Sequence, residues 1–246
     1  MRVRVKTLPG REIVVPYQPF QGGSAKPPWE EIFPDPCPNI VAFAKKKSGK
    51  TTVLYNILER MLPKGSKTRV LIFCPTYQQD KMWRSIIKML DERGIVYTAM
   101  PSFKGHDTAT GRAFNQLQDL QRMLNEKSDN RYIAVYDDLS IDLKDKYLEN
   151  LVKQNRHKNI INIVSTQYLN DLPPGSLSNF DFFLLFHKIP PKKLQEIHGK
   201  MGIGLEYDLF QELYDKAVSV PYGFLWVQSN PENYRLNFSG KVELDA

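Results

Sequence analysis

The stretch Ala44-Lys-Lys-Lys-Ser-Gly-Lys-Thr51 constrains the fold of this chain more than any other. It follows an apolar run, Asn39-Ile-Val-Ala-Phe43, and opens an amphipathic segment from Thr52 to Met61. Strand, tight loop ending in Gly-Lys-Thr, then helix is the context that a loop for nucleotide phosphates requires. There, successive backbone N–H groups wrap a phosphate chain and the helix N-terminus adds positive partial charge. The expected cradle is Lys45, Lys46, Lys47, Ser48, Gly49, Lys50, Thr51 and Thr52. Lys50 would reach the β- and γ-phosphates of ATP, and the Thr51 hydroxyl would take one position on Mg²⁺. The motif has one departure: Ala44 stands where glycine is usual. A methyl group fits there at negative φ, whereas a left-handed backbone would cost roughly 1–2 kcal/mol.

Beyond the loop, strand and helix signals alternate. Strands are expected at 69–74, 95–99, 132–136, 160–164 and 182–187, with 223–228 closing the sheet. Helices are expected at 80–93, 145–157, 190–200 and 205–217, and Phe114, Leu117, Leu120 and Leu124 suit one helical face. Such alternation predicts an α/β fold, a mostly parallel central sheet flanked by helices on both faces. Ligands of such sheets bind at the carboxyl ends of the strands. At the N-terminus, Val3, Val5 and Leu8 lead through Pro9-Gly10 to Ile13-Val-Val15, a hairpin pattern. Residues 16–38 are proline-rich, with Gly22-Gly23, and read as an irregular arm. The expected division is residues 1–37 for hairpin and arm, and 38–246 for the ATPase domain.

The strand at 132–136 ends in Asp137-Asp138. An acidic residue at the end of an apolar strand, downstream of a phosphate loop, supplies the second half of an NTPase magnesium site. Asp137 is therefore assigned to the metal, and Asp138 to polarising the attacking water. The next strand ends in Ser165-Thr166-Gln167, where a neutral amide at Gln167 would contact the γ-phosphate or the lytic water. Arg156, just before that strand, is a candidate for stabilising transition-state charge on the ATP of a neighbouring subunit. An aspartate pair also caps turns well, and a terminal arginine also suits a helix C-terminus.

Taken together, Ala44–Thr52, Pro75-Thr-Tyr77 with Asp80 and Trp83, Tyr132–Asp138, and Arg156-His157 through Thr166-Gln167 resemble one family. They are similar to the poxvirus-type genome-packaging ATPases of the FtsK–HerA superfamily, found in large DNA viruses, virophages and related elements. The similarity extends over residues 38–238, including Phe224-Leu-Trp226 and Tyr234-Arg-Leu-Asn-Phe238. It implies a RecA-like, ASCE-type P-loop domain acting as an ATP-driven motor. Such motors form homo-oligomeric rings that pull double-stranded DNA, without regard to sequence, into a preformed capsid of viral capsid proteins. It also implies a location inside the infected host cell, at the virus factory or nucleus, or on the virion. By this resemblance Lys50 and Thr51 serve nucleotide, Asp137 and Asp138 metal and water, Gln167 is the polar sensor, and Arg156 is the finger. Besides Ala44, two positions depart from the family. Asp138 replaces a glutamate common in the superfamily, and Ser176-Leu-Ser178 before Asn179 lacks an arginine that members often carry.

Composition narrows the alternatives. With 34 Lys and Arg against 27 Asp and Glu, the net charge of +7 favours a polyanionic partner. No apolar run approaches the roughly 18–20 residues of a membrane span, and the first residues, Met1-Arg-Val-Arg-Val5, lack the apolar stretch of a secretory signal. Cys37 and Cys74 are too few for a disulfide framework. The four histidines lack metal-ligand spacing. The polar loop 101–111, with Lys104 and His106, is the candidate for touching DNA phosphates. Two other readings stay open: a P-loop kinase for a small acceptor, and a nucleotide-binding assembly module with little turnover.

Overall fold

The computed structural model describes residues 3–7, 29–106, 110–125 and 130–244. Its centre is a ten-stranded sheet. Six of the strands run parallel: β2 (Asn39–Phe43), β3 (Arg69–Phe73), β4 (Tyr97–Met100), β7 (Tyr132–Asp137), β8 (Ile160–Thr166) and β9 (Phe182–Phe186). Their order is β9-β2-β8-β7-β3-β4. Four further strands extend this array antiparallel from β9: β10 (Phe224–Gln228), β11 (Asn233–Leu236), β12 (Gly240–Leu244) and β1 (Val3–Thr7).

Every residue of β2, β7, β8, β9 and β10 is buried. That follows from helices on both faces, which demand apolar side chains on alternate residues of either side. Ile40 and Ala42 face one core while Val41 and Phe43 face the other. The first face is covered by α2 (Lys50–Met61) and α3 (Lys81–Glu92), through Leu54, Ile57, Leu58, Trp83, Ile86 and Leu90. The opposite face is covered by α4 (Gln116–Asn125), α5 (Lys146–Lys153), α6 (Pro191–Met201) and α7 (Tyr207–Ala217). Side chains of this size stabilise by about 1.5–3 kcal/mol each when fully buried. The short helix α1 (Trp29–Ile32) leads Ile32 and Phe33 into the first core. There the Phe33 ring meets Phe182 edge-on at 4.8 Å.

Three expectations need revision, and one lies partly outside the description. The strand at 224–228 does not close the sheet, because β11, β12 and β1 lie beyond it. β11 and β12 are only four and five residues long, too short for their alternation to stand out from chance. Residues 3–7 pair with β12, while Ile13–Val15, the return strand of the expected hairpin, lies outside the described residues. The expected loop at 101–111 contains β5 (Lys104–His106), paired antiparallel with β6 (Ala113–Asn115). Residues 107–109 of that stretch are likewise outside the description. Finally, Phe114 belongs to β6 and not to the face of α4: it is 37% exposed, and its ring lies across Gly105, where an added Cβ would come within 2.6 Å.

Candidate functional site

At the carboxyl end of β2 the chain turns through the phosphate loop into α2. Ala44 keeps negative φ, its amide donating to the Thr166 carbonyl at 3.0 Å while its methyl joins the core. The substitution thus suits the loop. Left-handed backbone falls instead at Lys47 (φ 63°) and Gly49 (φ 89°), the latter being the N-cap of α2.

The start of α2 differs from those of α3 and α5, while α6 and α7, like α2, lack a side-chain cap. Asp80 caps α3, accepting hydrogen bonds from the Met82 and Trp83 amides at 2.7 and 3.1 Å. Asp145 caps α5 through the Tyr147 and Leu148 amides at 2.8 and 3.4 Å. No side chain caps α2. Its first-turn N–H groups, which have no intrahelical partner, stand where an anion can take them. Beside them the Ser48 hydroxyl is fully buried, lines the same cleft, and finds no hydrogen-bond partner among the described residues. A buried orphan hydroxyl under an uncapped helix start fits a phosphate group.

The cleft has a volume of about 670 Å³. Its lining includes Lys46 to Thr52 from the loop and helix, Thr76 and Trp83 from the β3–α3 region, and Asp137 with Asp138. β7 is not a neighbour of β2, since β8 runs between them. Lys50 spans that gap: its Nζ lies 2.9 Å from Asp137 Oδ1 and 2.5 Å from Asp138 Oδ2. Burial alone would push the ammonium's pKa down, but the two carboxylates outweigh it and raise the pKa. Asp137 is 2% exposed. Its Oδ2 accepts from the Trp83 indole Nε1 at 2.9 Å and from the Cys74 thiol at 3.8 Å. Burial first, then repulsion from Asp137, pushes the Cys74 pKa up to about 11. Asp138 turns into left-handed backbone at φ 54°, as does Ser140 at 47°. Such conformations in non-glycine residues cluster at functional sites.

Thr51 and Asp137 place one hydroxyl and one carboxylate in the same cleft, a hard-oxygen set suited to Mg²⁺, which keeps several waters and takes further ligands from phosphate. Among the described residues no group of three His, Cys, Asp or Glu side chains forms a metal cage. The site therefore fits an ion delivered together with a nucleotide.

Of the residues expected in the site, Lys46–Thr52, Asp137 and Asp138 converge here, while Lys45 is exposed and outside the lining. Gln167 is half-buried at the end of β8, the strand between the loop strand and the acidic strand, but it is not part of the lining either. Arg156 is at the other end of the molecule. It pairs with Asp35 at 2.6 Å and Asp181 at 3.5 Å, residues that precede β2 and β9 at the amino ends of the parallel strands. The seven residues of β8 separate it from the cleft, about 23 Å at the usual strand rise. Arg156 cannot serve its own chain's nucleotide. Lys104 is engaged too, bound to Asp145 at 3.0 Å and to the Asp142 carbonyl at 3.2 Å. It is thus not the free cation expected of that loop, whereas His106 and Arg112 are exposed.

Two contributors escaped the sequence reading. Trp83, named in the sequence only among the residues that carry the family resemblance, orients Asp137. Tyr222 gave no motif signal, yet it lines the cleft and packs against Gly49.

No protein-family model matches the chain. Over an alignment of 147 residues it is 26% identical to the uncharacterized protein 075L of Invertebrate iridescent virus 6, covering 56% of this chain and 57% of that protein. Among solved structures it is similar to the genome packaging NTPase B204 of Sulfolobus turreted icosahedral virus 2 in complex with AMPPCP. There the TM-score is 0.55 at 16% identity, over 86% of this chain and 100% of that one. The AMP complex of the same protein gives 0.54 at 16% identity, over 82% and 96%. B204 described as the DNA-packaging ATPase of Sulfolobus Turreted Icosahedral Virus gives 0.53 at 16% identity, over 85% and 98%. The α/β fold is thus that of viral genome packaging NTPases.

Proposed function

We propose that this chain is an ATPase that drives double-stranded DNA into a preformed viral capsid, a packaging motor of the poxvirus type within the FtsK–HerA superfamily. The observation that carries the reading is the set formed by Lys50, Asp137 and Asp138 beneath an uncapped helix start, on a fold shared with packaging NTPases. The N–H groups of the loop and the Ser48 hydroxyl bind the phosphate chain. Lys50, drawn from its two aspartates toward the β- and γ-oxygens, neutralises charge there. Thr51 and Asp137 would hold Mg²⁺, which when bound would neutralise phosphate charge. Asp138, released from Lys50, orients the attacking water. Gln167 reports on the γ-phosphate from the end of β8. Little covalent chemistry is asked of the protein, because positioning and electrostatics do most of the work in phosphoryl transfer.

Arg156 is assigned to the nucleotide of a neighbouring copy, which it reaches only by leaving Asp35 and Asp181. DNA is gripped through phosphates, so binding is independent of sequence and falls with salt.

The deciding experiment measures ATP hydrolysis with and without duplex DNA. Hydrolysis stimulated by DNA of any sequence is expected. Phosphorylation of a small acceptor would instead identify a kinase. Tight ATP binding without turnover would identify an assembly module, a reading that the strained backbone and Lys50 pairing of Asp138 keep specific.

A further inference from the structure

We infer that Tyr222 is the platform on which the nucleobase stacks. The inference rests on the cleft being a nucleotide site, and it concerns the flank of that cleft which no motif addresses. Strand order sets the direction in which a nucleotide lies. Lys50 and the two aspartates mark the γ-phosphate end, on β7, two strands to one side of β2. The sugar and base must leave the loop toward the other side, where β9 and β10 lie. Tyr222 stands there, in the turn before β10, opposite the carboxyl end of β9: Phe224 pairs with Phe186.

Three features make Tyr222 more than a bystander. The residue is 42% exposed while lining the same cleft as the phosphate loop. It approaches the loop backbone so closely that a Cβ on Gly49 would come within 3.2 Å of its Cδ1. A side chain on residue 49 would have to push the tyrosine back by a few tenths of an ångström. Its backbone is held left-handed at φ 60°, a conformation that bulky residues adopt rarely and that persists where the surroundings enforce it. The surroundings here are a tight turn closed by the Gly223 amide on the Val220 carbonyl at 3.0 Å, with Phe224 N–H bound to Asn237 Oδ1 at 3.1 Å. The turn is packed so closely that a Cβ on Gly223 would meet the Ala217 carbonyl at 2.1 Å. The indole of Trp83, on the opposite flank, is buried at 1% exposure and donates to Asp137, so its face is not offered to a base.

The test compares MgATP with magnesium tripolyphosphate, which has the phosphates and no base, by titration calorimetry. Tyr222→Ala and Tyr222→Gly, the latter at ease in a left-handed turn, should each weaken ATP binding roughly 5- to 150-fold and leave tripolyphosphate within about twofold, the range of base–aromatic stacking. Tyr222→Phe and Tyr222→Trp should hold ATP within about threefold, because either ring offers a π-face. Equal losses for both ligands would make Tyr222 a brace for the loop and overturn the inference, as would unchanged ATP affinity in the two truncated variants. Wild-type protein that binds neither ligand would refute the phosphate cleft itself, a failure distinct from that of the platform.

Discussion

Asp137 is the side chain on which the cleft converges, since Lys50, Trp83 and Cys74 all reach it. Replacing Trp83 with Phe keeps most of the buried volume but removes the indole donor. A buried acceptor left without its donor costs about 1–3 kcal/mol, so the urea midpoint should fall and Mg²⁺-dependent turnover with it; a variant equal to wild type in both would remove Trp83 from the site. Lys50→Ala should abolish ATP hydrolysis with an unchanged circular dichroism spectrum, and wild-type turnover would refute the site. Cys74 provides a pH test. Its folded pKa of about 11 exceeds that of a free thiol, about 8.5. The folded state therefore holds a proton that the unfolded chain gives up, and stability should decline as pH rises from the free-thiol range through about 11. Below that range this contribution is constant. A thiol reagent at neutral pH should label Cys74 only after denaturation, and rapid labelling of the folded protein would contradict its burial.

Among the elements, legibility followed the strength of local signals. The loop from Ala44 to Thr51 was plain because Gly-Lys-Thr lay between an apolar run and an amphipathic one, and both became β2 and α2. Asp137 was legible because an acid ends the apolar strand Tyr132-Ile-Ala-Val-Tyr136 downstream of a phosphate loop, and its ion pair with Lys50 favours the site over a turn cap. Tyr222 was not, for its place depends on a turn joining α7 to β10 and on a distant glycine, neither of which leaves a periodic trace. Phe114 was misread because its spacing from Leu117 fits a helix, whereas pairing of β6 with β5 overrode the pattern. β11 and β12 left little trace because an alternation as brief as Asn-Tyr-Arg-Leu is too short to tell from chance. The turn before β10 gives the prediction at this scale. Gly223→Ala would drive a methyl group into the Ala217 carbonyl. The turn must open, and destabilisation of about 1–3 kcal/mol is expected from such overpacking, read from urea unfolding. Full stability would show that the turn yields cheaply.

For the whole molecule, the decisive geometry is the distance between Arg156 and the cleft of its own chain. Arg156→Ala should leave ATP affinity near wild type while lowering turnover, and mixing it with Asp138→Asn protein should restore part of the activity. Each mixed assembly then holds some junctions with both an intact finger and an intact cleft. No recovery on mixing would argue against action between copies. The net charge of +7 belongs to this scale as well: DNA-stimulated turnover should weaken steeply as salt rises, since phosphate contacts release counterions. β8 carries a further consequence, because one straight strand begins beside Arg156 and ends at Gln167. If Arg156 serves a neighbour's cleft, as proposed, the patch that gives the finger differs from the patch that receives it, and copies joined nose to tail would offer both at every junction. A closed circle of copies joined in that way would have a built-in sense of rotation.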